Sequence, residues 1–453
     1  MNSATTRRSF LGAAGLAVGL AETQALAQDA AGQGPNTAPS PRPAPGTGPR
    51  PKIAVLASVY HYLSHAYHIA GRFLDGFEVY DGQGLHHPHA EIVSLFIEQL
   101  PANDLGRGVA ERNKVRLSPT IADALTLGTG KLAVDGILLI GEHGDYPFNA
   151  KMQKLYPRGK FFREAAAVLE QSGRGVPIFV DKHLSYDRAE AQSMVDTARR
   201  LKAPLMAGSS LPVTWRLPAF EPPLGVPIAS ALVVSRGEIE IFGFHALESL
   251  QCMVERRDRK GKPQGVVAVT CLQGEDVWKA GDEGRWDKSL LPTAIGRSHT
   301  LNPGDIRRTT KDFTPPAGRP SYLNEPLAFL VEYTDGLKAS VVIANGHVDD
   351  TTVALRTPDG KLGSTLFYLP APPGACFFTP LCLRIEDFFR SGKPPYPAER
   401  TLLTGGILDA ALESRVRGSV RIETPDLAAI DYAAPANSGF IRTPIADPTP
   451  NAI

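Results

Sequence analysis

Four short apolar runs, separated by stretches of helical periodicity, constrain this chain more than any other feature. They are KIAVLAS (52–58), EIVSLFIE (91–98), VDGILLI (134–140) and VPIFVD (176–181). Each is rich in Val, Ile and Leu and lacks the polar alternation of a half-exposed strand, so each reads as a strand buried on both faces. Helical spacing follows at 64–74, 161–171 and 189–201, and a further short strand at 204–208. Strands that alternate with helices in this way form a doubly wound, Rossmann-like parallel sheet. Right-handed crossovers bring the carboxyl ends of all its strands to one edge, where such sheets bind ligands.

The second half changes character. Residues 226–241, 265–272, 327–333, 339–344 and 351–355 are strand-like with fewer helices between them. This predicts a C-terminal α+β domain with a large mixed or antiparallel sheet. A broad sheet often buries one face on its own helices and the other on a partner subunit, so a homo-oligomer is expected. The domain layout follows: a signal peptide at 1–27, a linker at 28–51, the Rossmann-like domain at 52–208 and the second domain at 209–453. Arg7-Arg8-Ser9-Phe10-Leu11, the mild apolar run after it and Ala25-Leu26-Ala27 form a twin-arginine signal with a small-residue cleavage site. The expected location is therefore the periplasm or another extracytoplasmic space. The Ala-, Gly- and Pro-rich segment that follows is too poor in apolar surface to order itself.

A net charge of +1 without long single-sign runs argues against nucleic acid as a partner. No stretch of the mature chain is apolar for the length of a membrane span. Four cysteines are too few for a disulfide scaffold, although an oxidising compartment permits a bridge, with Cys376 and Cys382 nearest in sequence.

Polar residues gather just after the strands. Ser58, Glu98, Glu142 and Asp181 are the candidates to touch a cofactor, and Glu142, His143 and His183 are candidate ligands for a divalent metal. Eight of the eleven histidines precede residue 184. His61, His65 and His68 share one face if 61–68 is helical: either a metal-binding pair or a polar helix surface. His86-His87-Pro88-His89 lies in a Gly-rich loop and reads as solvated surface or a ligand contact. Trp215 and Arg216 either stack on a sugar and contact an anion or are buried.

The segment 180–187, Val-Asp-Lys-His-Leu-Ser-Tyr-Asp, and the helix after it resemble the Glu-Lys-Pro segment of the Gfo/Idh/MocA oxidoreductases. Gly243-Phe244-His245 resembles that family's glycine-x-histidine motif at a helix start. The resemblance implies an NAD(P)-dependent enzyme acting on a carbohydrate-like hydroxyl. In it Lys182 orients and polarises the oxygen, His245 takes the proton, and Glu98 holds a ribose hydroxyl. Three departures accompany it: the turn at 57–64 has no glycine, and Val59 and Tyr60 are expected in the place of the phosphates. His183, which joins Lys182 and His245 in the catalytic set, replaces a proline, and Ile241 replaces an aspartate. Glu142-His143 stands where the family has threonine-proline.

Three functions follow. The first is an exported oxidoreductase with a tightly held nicotinamide cofactor. The second is a non-redox sugar lyase, hydratase or hydrolase, with or without the assistance of a metal, and the third a noncatalytic carbohydrate-binding protein.

Overall fold

The computed structural model describes residues 47–79, 85–315, 321–369 and 375–441. The twin-arginine segment, most of the linker, Asp81 to Gly84 and the tail beyond Ile441 lie outside the described residues. The N-terminal half contains β1 (Lys52–Ala57), β2 (Phe77–Glu78), β3 (Leu85–His86), β4 (Glu91–Ile97), β5 (Arg116–Leu117), β6 (Gly136–Ile140), β7 (Ile178–Asp181) and β8 (Leu205–Gly208). Its helices are α1 (His65–Asp75), α2 (Gly106–Asn113), α3 (Ile121–Thr126), α4 (Arg158–Ser172) and α5 (Arg188–Arg200). Six strands form one sheet in the order β5-β4-β1-β6-β7-β8, with every pairing parallel. This is the doubly wound order whose direction reverses between β1 and β6, so the loops after those two strands flank the ligand-binding crevice.

One face of the sheet, through Leu56, Leu139 and Val180, packs on Ile121, Phe161, Leu169 and Met194 of α3, α4 and α5. The other face, through Val55, Ile140 and Phe179, packs on Ile69 of α1 and Val109 of α2, and on a helix from much later in the chain. That helix, α10 (Phe378–Ser391), contributes Leu381, Ile385, Phe388 and Phe389.

The second sheet holds β9 (Trp215–Leu217), β10 (Ser230–Ser235), β11 (Val266–Gln273), β12 (Leu327–Tyr333), β13 (Lys338–Ile343), β14 (Thr351–Arg356), β15 (Leu362–Tyr368) and β16 (Ile422–Glu423). Its order is β16-β11-β12-β13-β10-β14-β15-β9, and β10–β13 is its one parallel pairing. The sheet is mixed, as the sequence predicts. The strand-like reading of 226–241 is corrected: only Ser230–Ser235 is strand, and Ile241 opens helix α6 (Ile241–Val254).

Both faces of this sheet are covered within the chain. Val233, Phe329 and Val341 meet Phe244 and Leu247 of α6 and Leu408 of α11 (Ala398–Val416). On the other side Leu232, Leu330 and Val342 meet Val277 and Trp278 of α7 (Glu275–Asp282) and Leu291 of α8 (Leu291–Ile295), with Ile306 of α9 (Ile306–Asp312) packed against them. The expected open face for a partner subunit is therefore occupied by residues of the same chain. All four cysteines are free, so the permitted Cys376–Cys382 bridge is absent. No helix of the described residues is long and apolar enough to cross a membrane.

The two halves join tightly at the end of β8. Gly208 has φ +131°, and a Cβ there would stand 2.8 Å from Oε1 of Glu248, whose Oε2 accepts from the Ser209 amide at 2.7 Å. Gly208→Ala is expected to cost about 1–3 kcal/mol through backbone strain and this contact. Urea unfolding of the two proteins measures it, and an unchanged midpoint would remove the argument.

Candidate active site

The carboxyl edge of the parallel sheet carries a buried charge network. Glu142, two residues beyond β6, receives a hydrogen bond from Arg158 Nη1 on Oε2 and one from Lys182 Nζ on Oε1, each 2.8 Å. Arg158 is the first residue of α4 and wholly buried; its Nη1 also donates to the Gly141 carbonyl, and its guanidinium lies over the Tyr156 ring. Gly141 makes room for it, since a Cβ there would meet Arg158 Cγ at 2.6 Å. Arg158 Nη2 lies 2.8 Å from His183 Nε2. A guanidinium only donates, so His183 Nε2 must accept and its hydrogen must sit on Nδ1. That Nδ1 is buried without a partner.

Burial is the largest influence on Glu142, His183, Glu240 and His245. It would raise Glu142, but Lys182 and Arg158 outweigh it and hold the carboxyl well below its ordinary value. Burial and then Arg158 drive His183 well down, so the imidazole is neutral. His183 Nε2 also lies 3.7 Å from Glu240 Oε1, but a neutral ring spent on Arg158 makes no ion pair there. Glu240, immediately before α6, is raised to about 7 by burial and then by the charge of Glu142, and its Oε1 is unpartnered. His245, in the second turn of α6, is lowered by burial and then by Lys182, and its buried Nδ1 is unpartnered. Two strand-end residues adopt left-handed backbone, His143 at φ +67° and Lys182 at φ +60°. Such conformations in residues other than glycine are costly and concentrate at functional sites.

A histidine cluster stands at the neighbouring turn. The β1–α1 turn is tied to β6 by Ser58 Oγ, which donates to the Glu142 carbonyl at 2.7 Å. His65 Nδ1 bonds Asp181 Oδ2 at 2.6 Å, and its ring lies 5.0 Å from that of His143, with His61 5.8 Å from His143. His143 is lowered to about 3 by burial and then by His65.

The structure thus gathers Glu142, His143, Asp181, Lys182, His183 and His245, but several expected roles change. Glu142, His143 and His183 form no metal site: both Glu142 oxygens are bound by cations and His183 Nε2 is spent on Arg158. No group of three or more metal-binding side chains occurs among the described residues. Ser58 spends its hydroxyl on the Glu142 carbonyl. Glu98 is bound by Lys160 at 2.7 Å and by the Tyr146 hydroxyl at 2.5 Å. Val59 and Tyr60 are both buried, and the Tyr60 ring joins the core on the α1 side of the sheet, its hydroxyl against Gly71 of α1.

His61 precedes α1, and His68 packs flat on Phe378, so the three histidines share no helix face. His86 and the His89 amide bond Glu386 on α10, which makes that loop a structural pin. Trp215 and Arg216 are buried, with Arg216 over Phe440, and neither serves a sugar. Arg158 and Glu240 are functional candidates that sequence reasoning missed.

No protein-family model and no curated protein matches this sequence. Solved structures do. GenD2 from gentamicin A biosynthesis, in complex with NAD, is 14% identical, with 85% of this chain and 99% of that chain covered and a TM-score of 0.53. An oxidoreductase from Agrobacterium radiobacter, in complex with NAD+, L-tartaric acid and magnesium, is 13% identical, with 83% and 98% covered and a TM-score of 0.48. The match to GenD2 shows the fold: this chain has the two-domain architecture of the Gfo/Idh/MocA-type oxidoreductases.

A nicotinamide dinucleotide placed at this edge would find an uneven fit. Lys182 and His245 suit a reacting hydroxyl at one end. At 58–65 the residues do not fit a diphosphate in the usual way: there is no glycine, the Tyr67 amide is taken by Ser64 Oγ, and the His65 amide lies 3.4 Å from His143 Nδ1. The Asp181 carboxylate, bridged to His65, adds a negative charge where phosphates would need donors.

Proposed function

We propose that the chain is an exported enzyme of the oxidoreductase kind that acts on a hydroxyl of a sugar or cyclitol. The observation that carries this is the neutral His245, with an unpartnered Nδ1, on the same cleft edge as the Lys182–Glu142 pair. Glu142 holds the ammonium, the ammonium orients a ligand oxygen, and His245 accepts that hydroxyl's proton; burial keeps the imidazole free to do so at neutral pH. Glu240, near 7, supplies a carboxyl able to pass a proton in either direction. A tightly held nicotinamide cofactor belongs to this reading on the strength of the fold.

The glycine-free turn and the His65–Asp181 bridge favour a second reading, a non-redox lyase, hydratase or hydrolase using the same groups. Native and denatured intact masses of protein folded in the cytoplasm separate the two. A mass excess equal to a nicotinamide dinucleotide is the expected result for the oxidoreductase. Its absence moves the assignment to non-redox chemistry.

A further inference from the structure

We propose that His65, oriented by Asp181, is a second proton acceptor of this cleft, directed at a neutral hydroxyl-bearing ligand. The proposal rests on the reading of the edge as a site for a hydroxyl substrate. Asp181 ends β7 and is 1% exposed, and its Oδ2 lies 2.6 Å from His65 Nδ1. A carboxylate only accepts, so the hydrogen sits on Nδ1 and Nε2 carries the lone pair. Among the described residues nothing hydrogen-bonds that Nε2, and the side chain keeps 14% exposure. The ring is held edge-on to Phe378, 5.1 Å away, and beside His143, which fixes the direction of the lone pair.

His65 shares this edge with Glu142 through its ring contact with His143, the residue directly after Glu142. Asp181 Oδ1 is buried without a partner. In the step proposed, a ligand hydroxyl gives its proton to His65 Nε2 and the bonding pair stays on the ligand oxygen. Asp181 remains ionised beside the imidazolium, and the proton later leaves Nε2 to solvent. Asp181 is therefore a positioning residue.

The test reads the imidazole itself on the full mature chain. Nitrogen-15 NMR of the wild type is expected to show the Nδ1–H tautomer at His65. Diethyl pyrocarbonate, which acylates a bare imidazole nitrogen, is expected to modify His65 at least five-fold faster in the wild type than in Asp181→Ala, with partial recovery in Asp181→Glu. A purely structural pin predicts the opposite sign, because loosening α1 exposes the ring and speeds acylation. Equal or faster modification in Asp181→Ala, or an Nε2–H tautomer in the wild type, overturns the proposal. If Asp181→Ala does not fold, the wild-type tautomer decides alone. The intact-mass experiment can reject the redox reading without touching either result.

Discussion

Replacing Glu142 with alanine is expected to destabilise the folded chain by about 3–5 kcal/mol, the range for removing one partner of a buried ion pair. The magnitude follows from what remains: Arg158 is fully buried, Lys182 nearly so, and both lose the carboxylate that compensates them. Glu142→Gln keeps the shape and an acceptor oxygen but not the charge, so it should recover only part of the loss. Denaturant unfolding at neutral pH measures both variants, and a loss below about 1 kcal/mol for alanine would show that water already solvates the two cations. Because the folded carboxyl is depressed, its contribution is present above the ordinary glutamate range and disappears only as pH falls through the lower, folded value.

Stability is expected to fall steeply as pH drops below 6.5. His68, His143, His183 and His245 are all lowered, chiefly by burial, with His68 at about 4 and His143 at about 3. For a group whose folded value is depressed, the unfolded chain takes up the proton first, so acid favours unfolding. Each such imidazole contributes about 1.4 kcal/mol per pH unit between 6.5 and its folded value. Glu240 and Glu248 act oppositely, since burial raises both to about 7 and they gain as pH falls from there toward 4.5. Four imidazoles against two carboxyls leave a net slope on the order of 3 kcal/mol per pH unit between 6.5 and 4.5. Urea unfolding at three pH values in that window tests it, and a flat profile would mean that the imidazoles are hydrated. Glu248→Gln removes one opposing group and should steepen the slope.

The parallel sheet was legible because its strands are buried on both faces and so read as uninterrupted apolar runs. Lys182 and His183 were legible for the same reason: they follow such a run directly. Arg158 was not, because its partners lie 16 and 25 residues away and only the fold brings them together. Gly141 was the available signal, a small residue marking where another side chain passes close. Ile241 misled for a local reason: its apolar neighbours suit a strand as well as a helix, and tertiary packing on the second sheet decides between them. The helices from 275 to 312 are short and broken by Gly and Pro, so their periodicity is weak. Their effect is large nevertheless, because they cover the sheet face expected to meet a partner.

Helix α10 has a consequence for the order of events in the cell. Leu381, Ile385, Phe388 and Phe389 lie against the β1, β6 and β7 face of a sheet whose own strands end at residue 208. During synthesis the part of that face that α1 and α2 leave uncovered stays bare until residue 391 has left the ribosome. An early fragment ending near residue 208 would therefore present an uncovered apolar layer to chaperones, and the growing chain cannot seal its first half until most of the second has been made.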